Sequence, residues 1–289
     1  MRESDFIALL QKLPLHPAAR NLQDDCAILE VGGETLVITH DTMVEGVHFL
    51  PDQDLADVAW KLVATNLSDL AAKGAAPVGI LLSHSLSTAD DRFAAGLSEV
   101  LETYRCPLLG GDTVSGGASR TYGATLIGRA THCPVPSRSG ANAGDGVYLT
   151  GPVGAAMLGF EALRNKTGAD ASAFLRPLPL LAEGQALAPH VTAIMDVSDG
   201  LLLDASRIAK ASGVSIDIDA ARVPIAVPES RRDDAMRWGD DYQLLFTAPA
   251  GAKLPVAATQ IGTVGPANDS PILLDGVAPD GNSPLGYSH

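Results

Sequence analysis

The chain has 289 residues, of which 34 are acidic and 20 basic, giving a formal charge of −14. With 46% hydrophobic and 19% charged residues it has the composition of a folded globular protein, long enough for two domains of ordinary size. The acidic balance excludes a nucleic-acid backbone as main partner, because neutralising phosphates needs clustered Lys and Arg, but it allows a small phosphorylated ligand if cations separate the charges.

The N-terminal segment "MRESDFIALLQKL" lacks a signal-peptide core, and no run of about 18 apolar residues exists. A cytoplasmic protein with no membrane partner is expected. Cys26, Cys106 and Cys133 are widely spaced, which reads as three reduced thiols rather than a disulfide framework or a zinc site.

In chain order, "CAILEV" and "TLVITH" around "GGE" predict a hairpin. A helix is predicted from about Asp54 to Lys73, ended by Gly74. "PVGILLSHSL" reads as a strand, "TADDRFAAGLSEVLETY" as a helix with a Thr or Asp cap, and "CPLLGG" and "YGATLIGRA" as further strands. Residues 131–146 are dense in Pro, Ser, Gly and Asn and mark a boundary, which divides the chain into domains 1–136 and 137–289. Beyond it the pattern restarts with strand "VYLTG", helices "PVGAAMLGFEALRN" and "LLAEGQALAPH", strand "VTAIMDV" and helix "SDGLLLDASRIAKASG". "VSIDIDA", "DYQLLFTA" and "TQIGTVG" supply later strands. The two halves are thus α+β or α/β domains of roughly equal size.

Acids recur beside apolar runs: Asp41 after "LVITH", Asp69 in "TNLSDL", Asp112 in "LLGGDT", and Asp196 and Asp199 in "AIMDVSDGL". At about 100° per residue Asp69 projects between Val58 and Leu62, whereas Asp57, Lys61 and Ser68 share a polar sector. A carboxylate among apolar groups is costly unless paired, protonated or bound to a cation. Taken alone, each acid has an equally good local reading: an ion pair for Asp69, turns for Asp41 and Asp112, an N-cap for Asp199. If Asp25, Asp41, Asp69, Asp112, Asp196 and Asp199 converge, neighbours repel by about 4 kcal/mol at 4 Å with an effective dielectric near 20, and cations become necessary. Hard oxygen ligands favour Mg²⁺ or Mn²⁺, which join carboxylates to substrate phosphates. The chain lacks a P-loop, the kinase "HRD" and "DFG" pair, a dinucleotide fingerprint, a zincin helix and a nucleophile elbow. "TGPVGAAMLG" can cradle a phosphate at a helix N-terminus or simply turn strand into helix.

"NLQDDCAIL", "ITHDTMVEGVHF", "VATNLSDLAAKGA", "LLGGDT", "SRSGANAGD", "MDVSDGLLLD" and "WGDDYQLLF" together resemble the thiamine-monophosphate kinase family of the aminoimidazole-ribonucleotide-synthetase-like superfamily, in order and spacing over nearly the whole chain. The resemblance implies a two-domain fold, with an N-terminal sheet that pairs in a homodimer and an α/β C-terminal domain that closes the cleft. It implies transfer of the ATP γ-phosphoryl group to thiamine monophosphate, with Mg²⁺ held at Asp25, Thr39, His40, Asp41, Asp69, Asp112, Asp196 and Asp199. Tyr104, Gly111, Asp112, Arg138 and Ser198 match ATP contacts, and His48, Asp240 and Tyr287 match substrate contacts. No covalent nucleophile is expected, since phosphoryl transfer is mostly positioning and charge neutralisation, and no strong base, since the acceptor phosphate is already ionised. The sequence departs from the family pattern where Asn21, Leu22 and Gln23 replace glycines, where His40 replaces a Thr, where Asp240 replaces a Glu, and after Tyr287, where the usual aromatic residue is missing. Two alternatives are a superfamily relative, such as a selenophosphate synthetase or an amidine-forming purine enzyme, and a non-catalytic metal-binding protein.

Overall fold

The computed structural model describes residues 3–117, 119–280 and 283–287. Helix α1 (Glu3–Leu10) leads into a short 3-10 segment, Pro17–Leu22, in which Arg20, Asn21 and Leu22 all take left-handed backbone angles. Strands β1 (Ala27–Val31) and β2 (Glu34–Val44) form the predicted hairpin. Gly32 and Gly33 both have positive φ at its two-residue turn, the geometry that matches strand twist. Helix α2 (Leu55–Ala72) follows, with the Asp54 carboxylate accepting from the Ala56 N–H as its cap. Strand β3 (Ala75–Leu86), helix α3 (Asp90–Tyr104), β4 (Leu108–Ser115) and β5 (Thr121–Ala130) complete the first half. Its sheet has the order β1-β2-β5-β3-β4.

The expected cap of α3 is absent. Ala89 occupies that position with a left-handed backbone, and Asp90 instead turns back to accept from the Ser87 N–H and hydroxyl.

The second half contains β6 (Gly146–Leu149), α4 (Ala155–Arg164), α5 (Ser172–Leu175), α6 (Leu181–Leu187), β7 (Ala193–Asp196), α7 (Leu201–Ser212) and β8 (Ser215–Ile218). Helix α8 (Arg232–Trp238), β9 (Leu244–Ala248), β10 (Thr259–Gly265) and β11 (Ile272–Leu274) finish it. The second sheet runs β11-β8-β10-β6-β9-β7, antiparallel except for the β11–β8 edge.

Each sheet has its own apolar core, and a third cluster joins them: Ala71 and Ala72 of α2 pack with Leu187, Ile194, Leu244 and Phe246. Helix α2 is therefore covered on nearly every side. Its supposed polar sector is buried too, with Lys61 at 1% and Ser68 at 0% exposure. Periodicity shows only that those residues share a polar sector; a single helix pattern does not show that a second sheet will lie against it. Two close approaches fix the helix: a Cβ on Gly96 would fall 2.2 Å from the Ala56 carbonyl oxygen, and one on Gly184 would fall 1.9 Å from that of Ala71. At the far side of the first sheet β4 is an edge, with Leu108, Leu109 and Val114 exposed.

Candidate active site

A cleft of about 790 Å³ opens between the two halves. Strand β2 lines it with Thr39, His40 and Asp41, α2 with Thr65 and Asp69, the end of β7 with Asp196, and the turn after it with Ser198 and Asp199. Asp25, His48, Arg138, Asp240 and Tyr287 complete the group of expected residues that the fold brings together. Carboxylate oxygens of Asp25, Asp69 and Asp196 lie within 4.8 Å of one another.

Burial is the main influence on these acids. It raises Asp41 to about 6 and Asp196 to about 7, with neighbouring aspartates adding to the rise, and it pushes Asp69 well above the usual carboxylate range. Hydroxyl donors oppose it: Ser68 Oγ donates to Asp196 Oδ2 at 2.6 Å, and Thr39 donates to Asp69. Ionising the whole group would concentrate uncompensated negative charge in a partly dry space. A hard cation relieves that repulsion, and the all-oxygen donor set suits Mg²⁺ or Mn²⁺.

Asp25 is different. Its Oδ1 accepts from Arg138 Nε at 2.8 Å, and its Oδ2 lies 2.5 Å from Lys73 Nζ. Burial alone would raise it, but these cations outweigh that influence and hold it below the usual value. Asp24 beside it is likewise held low by Lys73 and Arg20. The sequence pattern alone marks neither Asp24 nor Lys73 as a site residue. Lys73 is four residues after Asp69, and that i,i+4 spacing was an available signal that the two share a helix face.

Further cations balance other acids. Lys61 Nζ reaches Asp240 Oδ2 at 2.8 Å and lies 3.7 Å from the Phe174 ring centroid. Arg207 donates to Asp199 and to buried Asp204, whose other oxygen accepts from the Ser198 and Asp199 N–H groups. Asp204, not Asp199, thus organises this turn, and the capping role considered for Asp199 is corrected. At one end of the cleft Phe160, Phe174 and Trp238 form an aromatic wall, with Phe160 5.3 Å from each of the other two rings.

Three expected site residues lie elsewhere. Tyr104 packs edge-on to Trp60 at 5.9 Å, and Gly111 and Asp112 lie on β4. Asp112 aligns through Ser83 and Gly123 with Thr42, three strands away and so about 14 Å across the sheet. The His40 ring is held by Thr125 Oγ1 at 2.8 Å rather than by the acids. The "TGPVG" turn is filled from within: the Gly154 N–H donates to both Asp241 oxygens at 2.9 Å, so this helix terminus is already occupied.

The AIR synthase related protein N-terminal domain matches residues 23–130, and the corresponding C-terminal domain matches residues 142–270. The thiamine-monophosphate kinase of Escherichia coli K12 is 41% identical over 249 residues, covering 78% of this chain and 75% of that protein. The chain belongs to the thiamine-monophosphate kinase family. Among solved structures, AaThiL complexed with AMPPCP and TMP superposes with a TM-score of 0.89 at 28% identity, covering 100% of this chain and 97% of that one. The family member from Stenotrophomonas maltophilia K279a gives 0.76 at 32% identity, covering 90% and 94%. Among the described residues no helix is long and apolar enough to cross a membrane.

Proposed function

We propose that the chain catalyses Mg²⁺-dependent, direct in-line transfer of the ATP γ-phosphoryl group to thiamine monophosphate, giving thiamine diphosphate and ADP in the cytoplasm. The convergence of Asp25, Asp69 and Asp196 beside Asp41, in a cleft with an aromatic end, carries this reading. The family relative AaThiL, complexed with AMPPCP and TMP, supports the choice of donor and acceptor.

Phosphoryl transfer is mostly positioning and charge neutralisation. When bound, Mg²⁺ supplies the positive charge that lets two polyanions approach. Asp25, Asp41, Asp69, Asp112, Asp196 and Asp199 would hold it, with Thr39 and the main-chain oxygen of His40. Arg138, with its planar fork, takes a phosphate of ATP together with Ser198, Tyr104 and Gly111. His48, Asp240 and Tyr287 orient thiamine monophosphate against the aromatic wall. No side chain accepts a phosphoryl group, and the ionised acceptor phosphate needs no strong base.

In this reading residues 1–136 form the nucleotide and dimerisation domain and residues 137–289 close the cleft. Tyr104, Gly111 and Asp112 lie outside the cleft lining of their own chain, so they act from a second copy, paired through the exposed β4 edge. The test is conversion of thiamine monophosphate with ATP and Mg²⁺, followed by chromatography. Equal amounts of diphosphate and ADP support the reading; folded, ATP-binding protein that forms no diphosphate overturns it.

A further inference from the structure

The Lys73 ammonium has no exposed surface, yet it faces two carboxylates, Asp24 Oδ1 at 2.6 Å and Asp25 Oδ2 at 2.5 Å. It also donates to the Ile194 carbonyl at 3.3 Å, so one side chain at the end of α2 ties together the acid pair and the second sheet. With Arg138 on Oδ1, both oxygens of Asp25 are occupied by cations of the protein itself. The neighbouring acids Asp69 and Asp196 have hydroxyl partners instead, from Thr39 and Ser68.

We infer that Lys73 is a positioning residue that acts as a fixed internal cation: it holds Asp25 through Oδ2 and takes the place there of one exchangeable divalent ion. The Arg138 side is the exchangeable one, because Arg138 lines the cleft and is partly exposed, whereas Lys73 is sealed behind the acids. A buried ammonium cannot leave without stranding two carboxylates, so its charge is permanent. Cation demand of the cleft is thereby lowered by one site. The inference rests on the reading of the cleft as cation-dependent.

The test is Mn²⁺ binding to the full chain, counted by electron paramagnetic resonance with and without the ATP analogue AMPPCP, in wild type, Asp24→Asn, Lys73→Met and Asp24→Asn/Lys73→Met. Removing a full charge a few ångströms away should tighten Mn²⁺ binding at Asp25 by about tenfold or more. Lys73→Met should therefore bind one additional Mn²⁺, or bind Mn²⁺ that much more tightly, and show a larger Mn²⁺-induced rise in melting temperature; the double variant, which loses one charge of each sign, should gain the additional Mn²⁺ at the freed Asp25 Oδ2 with a smaller change in affinity. Asp24→Asn alone keeps the ammonium and should gain no site. The double variant keeps the net charge of the wild type, which favours folding if the single variant fails. Unchanged Mn²⁺ number and affinity in folded Lys73→Met or double variant overturns the inference, as does failure of both to fold even in excess Mn²⁺. Absence of Mn²⁺ binding from wild type and all variants instead overturns the cation-dependent reading.

Discussion

Ser68 Oγ donates to Asp196 Oδ2 at 2.6 Å, from helix α2 of the first half to the end of strand β7 in the second. Both groups are buried, so the bond ties the halves together at the acids themselves. Ser68→Ala leaves Asp196 short of a donor and should cost about 1–3 kcal/mol of stability, read in a urea titration without metal. It should also lower the rate of diphosphate formation, since Asp196 loses the contact that orients it.

The raised values at Asp41 and Asp196 predict an unusual pH dependence for the cation-free protein. An acid whose folded-state value is raised favours the fold while protonated. Stability from this source is intact below the unfolded value of 3.8, is lost as pH rises through about 6 to 7, and stays lost above that. Asp24 and Asp25, held low by Lys73 and arginines, act oppositely, and their contribution fails only on acidification below 3.8. The melting temperature without Mg²⁺ should therefore fall between about pH 5 and 7.5, and saturating Mg²⁺ should flatten the slope. A rising melting temperature over that interval in metal-free protein would contradict the assignment.

Asp69→Asn separates function from stability. Burial, reinforced by Asp41, Asp196 and Asp25, disfavours the ionised form of Asp69, so folding the metal-free protein must keep this acid protonated; Asn carries no such cost, and the melting temperature should rise. The same change should cut diphosphate formation by about 100-fold or more, as expected when a cation contributing several kcal/mol is misplaced. The two readouts move in opposite directions, which mere unfolding cannot produce.

The pair Lys61–Asp240 gives a third contrast. Asp240→Ala strands a buried ammonium and should cost about 2–4 kcal/mol, less than for a fully buried pair because Asp240 keeps some water. Lys61→Met/Asp240→Leu, which removes both charges, should recover most of that loss. Asp240→Asn should raise KM for thiamine monophosphate with a smaller change in kcat, checked by initial rates.

Gly184→Ala tests the helix contact itself. The new Cβ would press on the Ala71 carbonyl oxygen, and backbone on backbone cannot yield cheaply. A loss of about 1–3 kcal/mol is expected in thermal unfolding.

Much of this site was legible because an acid beside apolar residues at the end of a strand or along a helix face is locally out of place. Asp41, Asp69 and Asp196 all carry that signature, and the fold brings them together. What stayed hidden depended on the other half of the chain. Lys61 and Ser68 read only as part of a polar sector until the second sheet covers α2, and Lys73 only as the last residue of a helix until Asp24 and Asp25 meet it. Gly154 and its neighbours read equally as a phosphate cradle or a plain strand-to-helix turn, because Asp241, which fills the site, comes nearly ninety residues later. Strand order was equally invisible: "LLGGDT" reads as site-forming, but its place on β4 puts Asp112 at the sheet edge, three strands from Thr42.

Helix α2 and the residue that caps its C-terminus carry Lys61, Ser68, Asp69 and Lys73 within thirteen consecutive positions, each committed to a partner outside the helix. One inserted residue midway along it would turn everything downstream by about 100° and shift it by about 1.5 Å. Ser68, Asp69 and Lys73 would lose register together, while Lys61 kept its place. A point substitution breaks one of these contacts, whereas a change of length breaks three at once, so the spacing along this helix constrains the site more tightly than any one of its side chains.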